Sequence, residues 1–556
     1  MEYHKGEPLQ HMGDLPDMGA DRYPDNPALI FQGEEQTYDD LKRRSNQVAN
    51  MLKANGVQVG DRVGLYVPNT KQFPEAYFGT IKRGAVPIPL NLRLDPETLK
   101  YVLEDADVDH MIASPILAED VKDIKAAPKL AREANLETVF MTGMEGELFV
   151  DYEGAVASAD ETFDRPDRGY DDVAIQPYTS GTTGKPKGVL LTHQNLLTAI
   201  NSIVRFGIIG DPNQTILLVL PLFHIYALNA ILGGTLYNGA TIVLQAVPDP
   251  EGMLELIDEY NVDFFPAVPA IFNMISREYR ENPEKYDVSS LKLINSAAAP
   301  LADKTRRMME EEWDVNMMEG WGMSETAPAG TLQPIRGVSK EAGCIGLPVD
   351  DIEIKLVDPD TRETIVPFDE ISSYGGRVDQ SRNFDEDDEC TGEIAVRGPQ
   401  VFKGYHNLPE QTEEVFDDDG WFYTQDIARI DEEGFLWMVD RYDDMIIAGG
   451  ENIYPAEVEN ALYEHDAVEE AAVVGAPHEI KGEAPVAFAV LEEDAEVDEE
   501  ELRKFSLDYL ATYAHPRRVF FVDELPRSGT EKVQRFKLEE EAKERLDGPL
   551  SSSSQL

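Results

Sequence analysis

The chain has 556 residues, of which 106 are acidic and 49 are basic, and its net charge at pH 7 is −57. Nucleic acids and anionic lipid surfaces would repel such a polyanion, so both classes of partner are excluded. Because 42% of the residues are hydrophobic and 9% are aromatic, the chain can form a large core and is not a disordered acidic polypeptide.

The acidic residues are spread along the whole chain instead of forming one tail. This spread favours a surface adapted to high salt, where the Debye length is about 3 Å at 1 M, over an acidic docking surface. The two cysteines, Cys344 and Cys390, offer neither a disulfide framework nor a metal pair. With no secretory signal and no clean run of about 20 apolar residues, we predict a cytoplasmic protein without a transmembrane segment.

Strand and helix patterns alternate from the start of the chain. Strands are predicted at 28–31 and 62–67, each followed by an amphipathic helix, at 38–55 and 72–83 respectively. Between Asp211 and Asp249 no residue is charged, and this segment is predicted to form a buried strand, helix and strand at 215–220, 227–237 and 241–245.

After residue 440 the pattern changes to short helices at 454–465 and 499–510 among strands at 471–475, 484–491 and 519–522. We therefore predict an α/β fold class, with a large N-terminal domain of parallel or mixed sheets flanked by helices and a small α+β C-terminal domain. The predicted boundaries are 1–440 for the N-terminal domain, 441–545 for the C-terminal domain and 546–556 for a disordered tail.

The segment 178–188 reads YTSGTTGKPKG and is the strongest motif in the chain. Its glycines let backbone N–H groups turn towards an anion, its hydroxyls add donors, and its two lysines add positive charge. This combination indicates a phosphate-bearing ligand. A P-loop of the ATPase or kinase type is disfavoured, because only two residues separate Gly181 from Gly184 and Pro186 follows Lys185.

The motif resembles the signature of the adenylate-forming (AMP-forming) acyl-CoA synthetase family, and the resemblance continues in order along nearly the whole chain. Its other motifs match segments 296–301, 319–326, 391–399, 420–426, 440–455 and 525–535. The resemblance implies ATP and CoA as co-substrates, Mg²⁺ as the metal and a small carboxylic acid as the third partner. The ATP and AMP contacts that it implies are Thr179, Ser180, Gly181, Thr182, Thr183, Gly184, Lys185, Ala298, Glu319, Gly320, Trp321, Gly322, Ser324, Asp426 and Arg441.

Some of these positions carry specific roles in the family. By resemblance, Trp321 packs on the adenine, Glu325 is the metal ligand, Asp426 binds the ribose hydroxyls and Arg441 contacts the nucleotide. A flat apolar ring suits a purine, and a carboxylate suits both a hard cation and two hydroxyl donors. Gln425 stands where the family usually has glycine.

The C-terminal motifs imply a domain that rotates between two half-reactions. Lys532 falls on the position of the catalytic lysine, with Glu531 where the family has glycine. Asp443 matches the hinge position, and Gly449 and Gly450 match the strip that lines the tunnel for CoA. The catalytic residues implied by the resemblance are Lys532, Glu325, Thr182 and His224.

The acid pocket is expected around His224, Tyr226, Ala227 and Ala298. Segment 221–229 has no aspartate to hold an amino group, which disfavours amino acids. We predict an acyl-CoA synthetase for a medium- or long-chain fatty acid, because we identify no polar group that would recognise a phenol. The alternatives are an aryl-acid ligase of the coumarate or benzoate kind and a luciferase-like oxidative enzyme. A homodimer is left open.

Overall fold

The computed structural model describes residues 3–4, 7–115, 136–144, 149–179, 185–297, 301–334, 341–373, 378–384, 387–448, 451–492, 495–527, 533–546 and 548–550. Its α-helices are Leu15–Arg22, Tyr38–Ala54, Gln72–Lys82, Pro96–Asp105, Tyr152–Ala157, His193–Phe206, Gly234–Asn238, Pro250–Tyr260, Pro269–Glu281, Asp303–Trp313, Asp387–Cys390, Pro409–Val415, Pro455–Tyr463, Glu499–Ser506 and Arg535–Arg545. Short 3₁₀ turns are Met12–Asp14, Ser324–Thr326 and Tyr442–Asp444.

Fourteen strands of the described residues form one large sheet whose two halves differ in direction. One half is parallel and consists, in spatial order, of Asn316–Trp321, Leu293–Ser296, Phe264–Ala267, Thr215–Leu218, Thr241–Leu244 and Pro27–Phe31, with Glu34–Thr37 antiparallel at the edge. The other half is antiparallel and consists of Thr331–Leu332, Cys344–Pro348, Leu436–Arg441, Phe422–Ile430, Thr391–Arg397, Glu353–Val357 and Thr364–Val366.

A second sheet is wholly parallel and lies earlier in the chain. Its strands are, in spatial order, Val86–Pro89, Arg62–Tyr66, Val108–Ala113, Thr138–Met141 and Val150–Asp151. Three two-stranded ladders complete this region, namely Tyr3–His4 with Glu7–Pro8, Val173–Ile175 with Leu191–Thr192, and Tyr178–Thr179 with Lys187–Gly188. Helices connect many of the parallel strands, because each connection must return the chain to the end of the sheet at which the previous strand began.

The C-terminal domain has a sheet and hydrophobic clusters of its own. Its strands are Glu451–Ile453, Ile446–Ala448, Gly482–Leu491 and Val468–His478, with Arg518–Phe521 parallel to Gly482–Leu491. The main N-terminal core runs to Leu436, whereas the C-terminal clusters begin at Ile446. The predicted fold class, a mixed α/β protein with a large N-terminal domain and a small C-terminal domain, is therefore confirmed. The boundary at 440/441 stays a prediction.

One boundary of the prediction needs correction. Residues 546–550 were expected to belong to a disordered tail, but Leu546 and Leu550 are buried and Leu550 pairs with His478 beside the C-terminal sheet. Two apolar side chains in the last six described residues are enough to dock this segment on the domain. Residues 551–556 lie outside the described residues.

The uncharged segment predicted to be buried is buried. Strands Thr215–Leu218 and Thr241–Leu244 lie side by side in the large sheet, and the helical stretch between them is almost wholly inaccessible. That stretch starts as a π-helix at Tyr226–Gly233 before it becomes α-helical at Gly234–Asn238, which sequence periodicity does not reveal. π-Turns occur often at functional sites. No helix in the described ranges is both long enough and apolar enough to cross a bilayer.

Two buried histidines attach the N-terminal segment to the rest of the large domain. The ring centroids of His11 and His193 lie 4.0 Å apart with the ring planes tilted by 31°, and each Nδ1 accepts a backbone N–H, from Gly13 at 3.1 Å and from Met12 at 3.2 Å respectively. Burial lowers the pKa of His11 far below its usual value, and burial, together with the nearby Arg168, lowers the pKa of His193 to about 3. Both rings are therefore neutral in the folded protein at neutral pH.

This arrangement predicts a loss of stability in mild acid. The unfolded chain takes up a proton on each histidine near pH 6.5 while the folded chain does not, so the unfolded state binds more protons below that pH and the free energy of unfolding falls. We expect a loss of about 1 kcal/mol per histidine between pH 7 and pH 5.5, measured by denaturant unfolding at constant high salt.

Asparagine keeps an acceptor near the position of Nδ1 and does not titrate. His11→Asn and His193→Asn should each flatten the dependence of stability on pH compared with the parent protein. Slopes equal to that of the parent protein in both variants would contradict the assignment.

Candidate active site

Most described residues singled out by sequence gather near one edge of the large sheet. Trp321 ends its parallel strand, the neighbouring strand Leu293–Ser296 leads to segment 296–301, and Thr215–Leu218 leads to His224 and Tyr226. Ligands of parallel α/β sheets bind beyond the carboxyl ends of the strands. The fold thus brings together motifs that are a hundred residues apart in the chain.

The predicted phosphate loop is carried by a hairpin. Thr179 pairs with Lys187 and Tyr178 with Gly188, so the two ends of the loop are fixed side by side, while residues 180–184 lie outside the described residues. The Tyr178 hydroxyl donates a 2.6 Å hydrogen bond to Asp105 Oδ2, and this contact attaches the hairpin to the end of helix Pro96–Asp105. A side chain at Gly188 would come within 2.8 Å of Gln176.

The two lysines of the motif each lie over an aromatic ring. Lys185 Nζ is 4.9 Å from the centroid of Tyr101, and Lys187 Nζ is 5.1 Å from the centroid of Tyr405. Contacts of this kind orient a cation without cancelling its charge. Both lysines therefore keep a positive charge for an anionic ligand.

Glu325 is a buried carboxylate in the middle of a short 3₁₀ turn, Ser324–Thr326. Its Oε1 accepts a hydrogen bond from the Tyr405 hydroxyl at 2.9 Å, and its carbonyl oxygen accepts the Phe402 N–H at 2.8 Å. Burial raises the pKa of Glu325, an effect opposed by Tyr405 and by the positive charge of Arg441. A buried carboxylate of this kind is suited to a cation.

Trp321, Asp426 and Arg441 form a connected group. The Trp321 indole N–H donates to Asp426 Oδ2 at 2.7 Å, and Arg441 Nε is 3.5 Å from Asp426 Oδ1. Asp426 and Arg441 are register partners on neighbouring antiparallel strands. The predicted adenine, ribose and nucleotide contacts are therefore adjacent, and Asp426 presents a fixed carboxylate between an aromatic ring and a guanidinium group.

Gln425 occupies the position where the family usually has glycine, and the backbone keeps the glycine-like conformation. Its φ is +61°, which costs a residue with a side chain about 1 kcal/mol. The Gln425 N–H donates to Glu393 Oε1 at 2.7 Å, and the Asp426 N–H donates to Thr424 Oγ1 at 2.7 Å. These two bonds hold the turn that aims Asp426.

The glycines beside Trp321 are required for packing. A Cβ at Gly322 would lie 1.9 Å from the carbonyl oxygen of Pro328, and one at Gly320 would lie 2.7 Å from Leu332. Their predicted contact with the nucleotide stays a prediction, as does that of the half-buried Ser324.

Glu319 points away from the other site residues. Its carboxylate lies 3.3 Å from Arg306 and accepts the Gly343 N–H at 3.2 Å. Burial raises the pKa of this carboxyl, and Arg306 opposes the shift. In the structure its side chain thus joins a helix to the sheet, and its expected nucleotide contact stays a prediction.

The expected acid pocket lies at the start of the π-helix. The Tyr226 N–H donates to His224 Nδ1 at 3.4 Å, and the Tyr226 hydroxyl donates to Oδ1 of the buried Asn295. Ala227 is fully buried. Ser296 Oγ is buried and has no hydrogen-bond partner within the described part of the chain, and Ala298 lies outside it.

The predicted hinge follows the last strand of the large sheet. Asp443 falls in the 3₁₀ turn Tyr442–Asp444, and the preceding Asp440 is buried, where it accepts the N–H groups of Arg441 and Ala456 at 2.8 and 3.0 Å. Burial raises the pKa of Asp440 to about 6. Gly449, Gly450 and Lys532 lie outside the described residues, so their roles stay predictions.

Arg535 lies three residues after Lys532, at the end of the motif segment that carries it. Its guanidinium contacts Glu459 at 2.5 Å and Asp444 at 3.7 Å, and donates to the Val473 carbonyl at 2.6 Å. These contacts fix the end of the loop to the hinge turn, to a helix and to a strand of the C-terminal domain.

Sequence reasoning missed several residues of this site, namely Tyr405, Tyr101, Asn295 and Arg535. Tyr405 and Tyr101 lie outside the motif segments used above, and their contacts with the motif lysines arise only in the folded chain. Asn295 directly precedes a matched segment, and Arg535 closes another, so position next to a motif was the only available signal.

Comparisons with known proteins show the family to which the chain belongs. The family model for the AMP-binding enzyme matches residues 17–406, and the model for the AMP-binding enzyme C-terminal domain matches residues 457–532. A long-chain-fatty-acid–CoA ligase from Bacillus subtilis (strain 168) is 33% identical over 548 residues, covering 94% of this chain and 93% of the relative.

The name of a second relative refers to an aryl acid instead of a fatty acid. The feruloyl-CoA synthase of an Amycolatopsis species is 35% identical over 526 residues, covering 94% of this chain and 97% of its own. Among solved structures, ATP-bound MatB from Rhodopseudomonas palustris superposes with a TM-score of 0.82 at 30% identity, covering 96% of this chain and 99% of that one. The chain belongs to the AMP-binding enzyme family and is an AMP-forming acyl-CoA ligase, that is, an acid–thiol ligase whose co-substrates are ATP and CoA.

Proposed function

We propose that the acid is a medium- or long-chain fatty acid. The observation that carries this proposal is the apolar helix that begins at the expected pocket residue Tyr226: the seven residues from Ala227 to Gly233 are all buried, and Asn229 is the one among them with a polar side chain. A long alkyl chain gains about 0.8 kcal/mol for each methylene that it buries in such surroundings. The similarity to a long-chain-fatty-acid–CoA ligase supports the same choice.

The reaction proceeds in two displacements. A carboxylate oxygen of the acid attacks the α-phosphorus of ATP, and pyrophosphate leaves. The thiolate of CoA then attacks the acyl carbon, the C–O bond to AMP breaks, and AMP leaves with the electron pair. Because the first step brings one anion to another, catalysis depends on positioning and charge neutralisation.

The residues of the site suit these tasks. Lys185 and Lys187 would neutralise the phosphates. Trp321 and Asp426 would hold the adenosine, and Arg441 would lie next to the α-phosphate. Lys532 would approach the reacting phosphate in the first arrangement of the C-terminal domain, and Gly449 and Gly450 would face the pantetheine in the second. None of these roles requires a nucleophilic side chain.

Glu325 fits the expected magnesium ion. Its carboxylate is a hard oxygen donor in a buried position, which is the chemistry that Mg²⁺ prefers. The described residues contain no group of three acidic, histidine or cysteine side chains that would hold a metal by themselves. This agrees with a Mg²⁺ ion that takes most of its ligands from ATP phosphates and water, where it would neutralise phosphate charge.

A hydroxylated aryl acid is the second candidate, and one observation favours it. The Tyr226 hydroxyl and the Asn295 amide lie together at the expected pocket, and the hydroxyl of Ser296, the next residue of the chain, is buried and has no partner among the described groups. A phenol could form hydrogen bonds there. The similarity to a feruloyl-CoA synthase supports this candidate.

Lys532→Ala should separate the two half-reactions. Removing the lysine takes one positive charge from the adenylation transition state, so acid-dependent pyrophosphate release should fall by about 100-fold or more. Thioester formation from supplied acyl-adenylate and CoA should stay within about two-fold of the parent rate, because that step does not use the lysine.

Lys537→Ala is the matched control, since Lys537 is an exposed lysine five residues further on, in helix Arg535–Arg545. It should leave both rates unchanged. Equal loss of both half-reactions in Lys532→Ala would contradict its proposed role.

A panel of acids tests the choice of substrate. Acetate, octanoate, palmitate, benzoate and coumarate would be compared by pyrophosphate release, and we expect the highest kcat/KM for the longer fatty acids. Tyr226→Phe removes one hydroxyl but keeps the ring, so it should change fatty-acid turnover by less than about two-fold. If coumarate leads the panel and loses about ten-fold in Tyr226→Phe, the aryl-acid candidate is correct instead.

A further inference from the structure

Tyr405 lies where two parts of the site meet. Its backbone is held beside the phosphate hairpin, because the Leu190 N–H donates to the Gly404 carbonyl at 3.0 Å and the His406 N–H donates to the Gly188 carbonyl at 2.8 Å. The Tyr405 N–H donates to Thr412 Oγ1 at 3.0 Å. Its position relative to the hairpin is therefore fixed by the backbone.

The Tyr405 side chain reaches two charged groups at once. Its hydroxyl donates to Glu325 Oε1 at 2.9 Å, and Lys187 Nζ lies 5.1 Å from its ring centroid. Phe402 packs against the ring edge to face, with centroids 4.9 Å apart. The ring is thus held on one side and contacts both an expected metal ligand and an expected phosphate ligand on the other.

We propose that Tyr405 is a positioning residue for adenylation: its hydroxyl fixes the orientation of the Glu325 carboxylate for the cation, and its ring sets the place of Lys187. This inference rests on the proposed role of Glu325 as the magnesium ligand. A hydrogen bond to an ionised carboxylate is about twice as strong as a neutral one, so a single donor is enough to select one carboxylate orientation.

The geometry divides the two contributions between two variants. Tyr405→Phe keeps the ring, its packing on Phe402 and its contact with Lys187, and it removes only the bond to Glu325. Tyr405→Leu removes both. Losing a group that orients a metal ligand typically costs 10- to 100-fold in metal affinity or activity.

The test measures pyrophosphate release against free Mg²⁺ at fixed ATP and fatty acid. For Tyr405→Phe we expect about a ten-fold higher Mg²⁺ concentration at half-maximal rate, with acyl transfer from supplied acyl-adenylate to CoA unchanged within about two-fold. Tyr405→Leu should show the same Mg²⁺ effect and also a higher KM for ATP.

Calorimetric binding of a non-hydrolysable ATP analogue gives a readout that does not depend on turnover. Without Mg²⁺, Tyr405→Phe and the parent protein should bind the analogue equally; with Mg²⁺, the affinity gained by the variant should be smaller. Tyr152→Phe is the matched control, because the Tyr152 hydroxyl also donates to a buried glutamate, Glu75, at 3.4 Å in a different part of the large domain. It should change neither measurement.

The outcomes separate this inference from the function on which it rests. If Glu325→Gln shifts the Mg²⁺ requirement but Tyr405→Phe does not, the positioning role is wrong and the role of Glu325 stands. If neither variant shifts the requirement, the metal role proposed for Glu325 is wrong. Equal losses in both half-reactions of Tyr405→Phe would indicate a merely structural residue and overturn the inference.

Discussion

Repulsion between like charges is the constraint on which the rest of this site depends. ATP, CoA and the acid are all anions, and the protein that must bring them together has a net charge of −57. Two like charges 4 Å apart repel by about 1 kcal/mol in water and by about 4 kcal/mol near a protein surface. Binding therefore requires positive charges close to the ligands whose attraction exceeds the repulsion from the net negative charge of the protein.

The way in which the motif lysines are held meets this requirement. Several other lysines pair with carboxylates, as Lys42 does with Asp21 at 3.1 Å and Lys82 with Asp17 at 2.6 Å. Lys185 and Lys187 rest on aromatic rings instead, and neither forms an ion pair within the described ranges. An aromatic ring orients an ammonium group and leaves its charge available to a ligand, whereas a carboxylate would cancel it.

Long-range contacts then join these cations to the rest of the site. Tyr405 connects the phosphate hairpin with Glu325, and Asp426 connects Trp321 with Arg441. The bonds Tyr405–Glu325 and Trp321–Asp426 join residues 80 and 105 positions apart, and the second of them joins the end of the parallel half of the sheet to its antiparallel half. The site is thus a product of the sheet topology, and its polar groups are held by other protein groups before any ligand arrives.

The sequence was sufficient to predict the helices and strands and to single out the motif residues. It was not sufficient to predict which residues contact them in the fold. Alternating apolar strands and amphipathic helices predicted Pro27–Phe31, Tyr38–Ala54 and the C-terminal strands to within a few residues, because periodicity reports burial directly. The π-helix that begins at Tyr226 has no sequence periodicity of its own that would predict it. The pairing of Leu550 with His478 joins residues 72 positions apart, so the local composition of the tail does not reveal it.

The residues that contact the motif residues could not be predicted from the sequence, for a physical reason. Tyr405 and Asn295 act through contacts with residues 80 and 69 positions away, and nothing in the local pattern of either distinguishes it from an ordinary core residue. Glu319 shows the converse. Its motif position suggests a ligand contact, yet burial beside Arg306 gives its carboxylate a structural partner.

The most direct test of the electrostatic account is the KM for ATP as a function of KCl concentration, at fixed Mg²⁺ and saturating acid and CoA. Salt screens the diffuse repulsion of the whole protein over its long range, while the close contacts of ATP with its cations are screened less. The KM for ATP should fall as KCl rises from low to molar concentrations. A KM that rises steadily over the same range would contradict it.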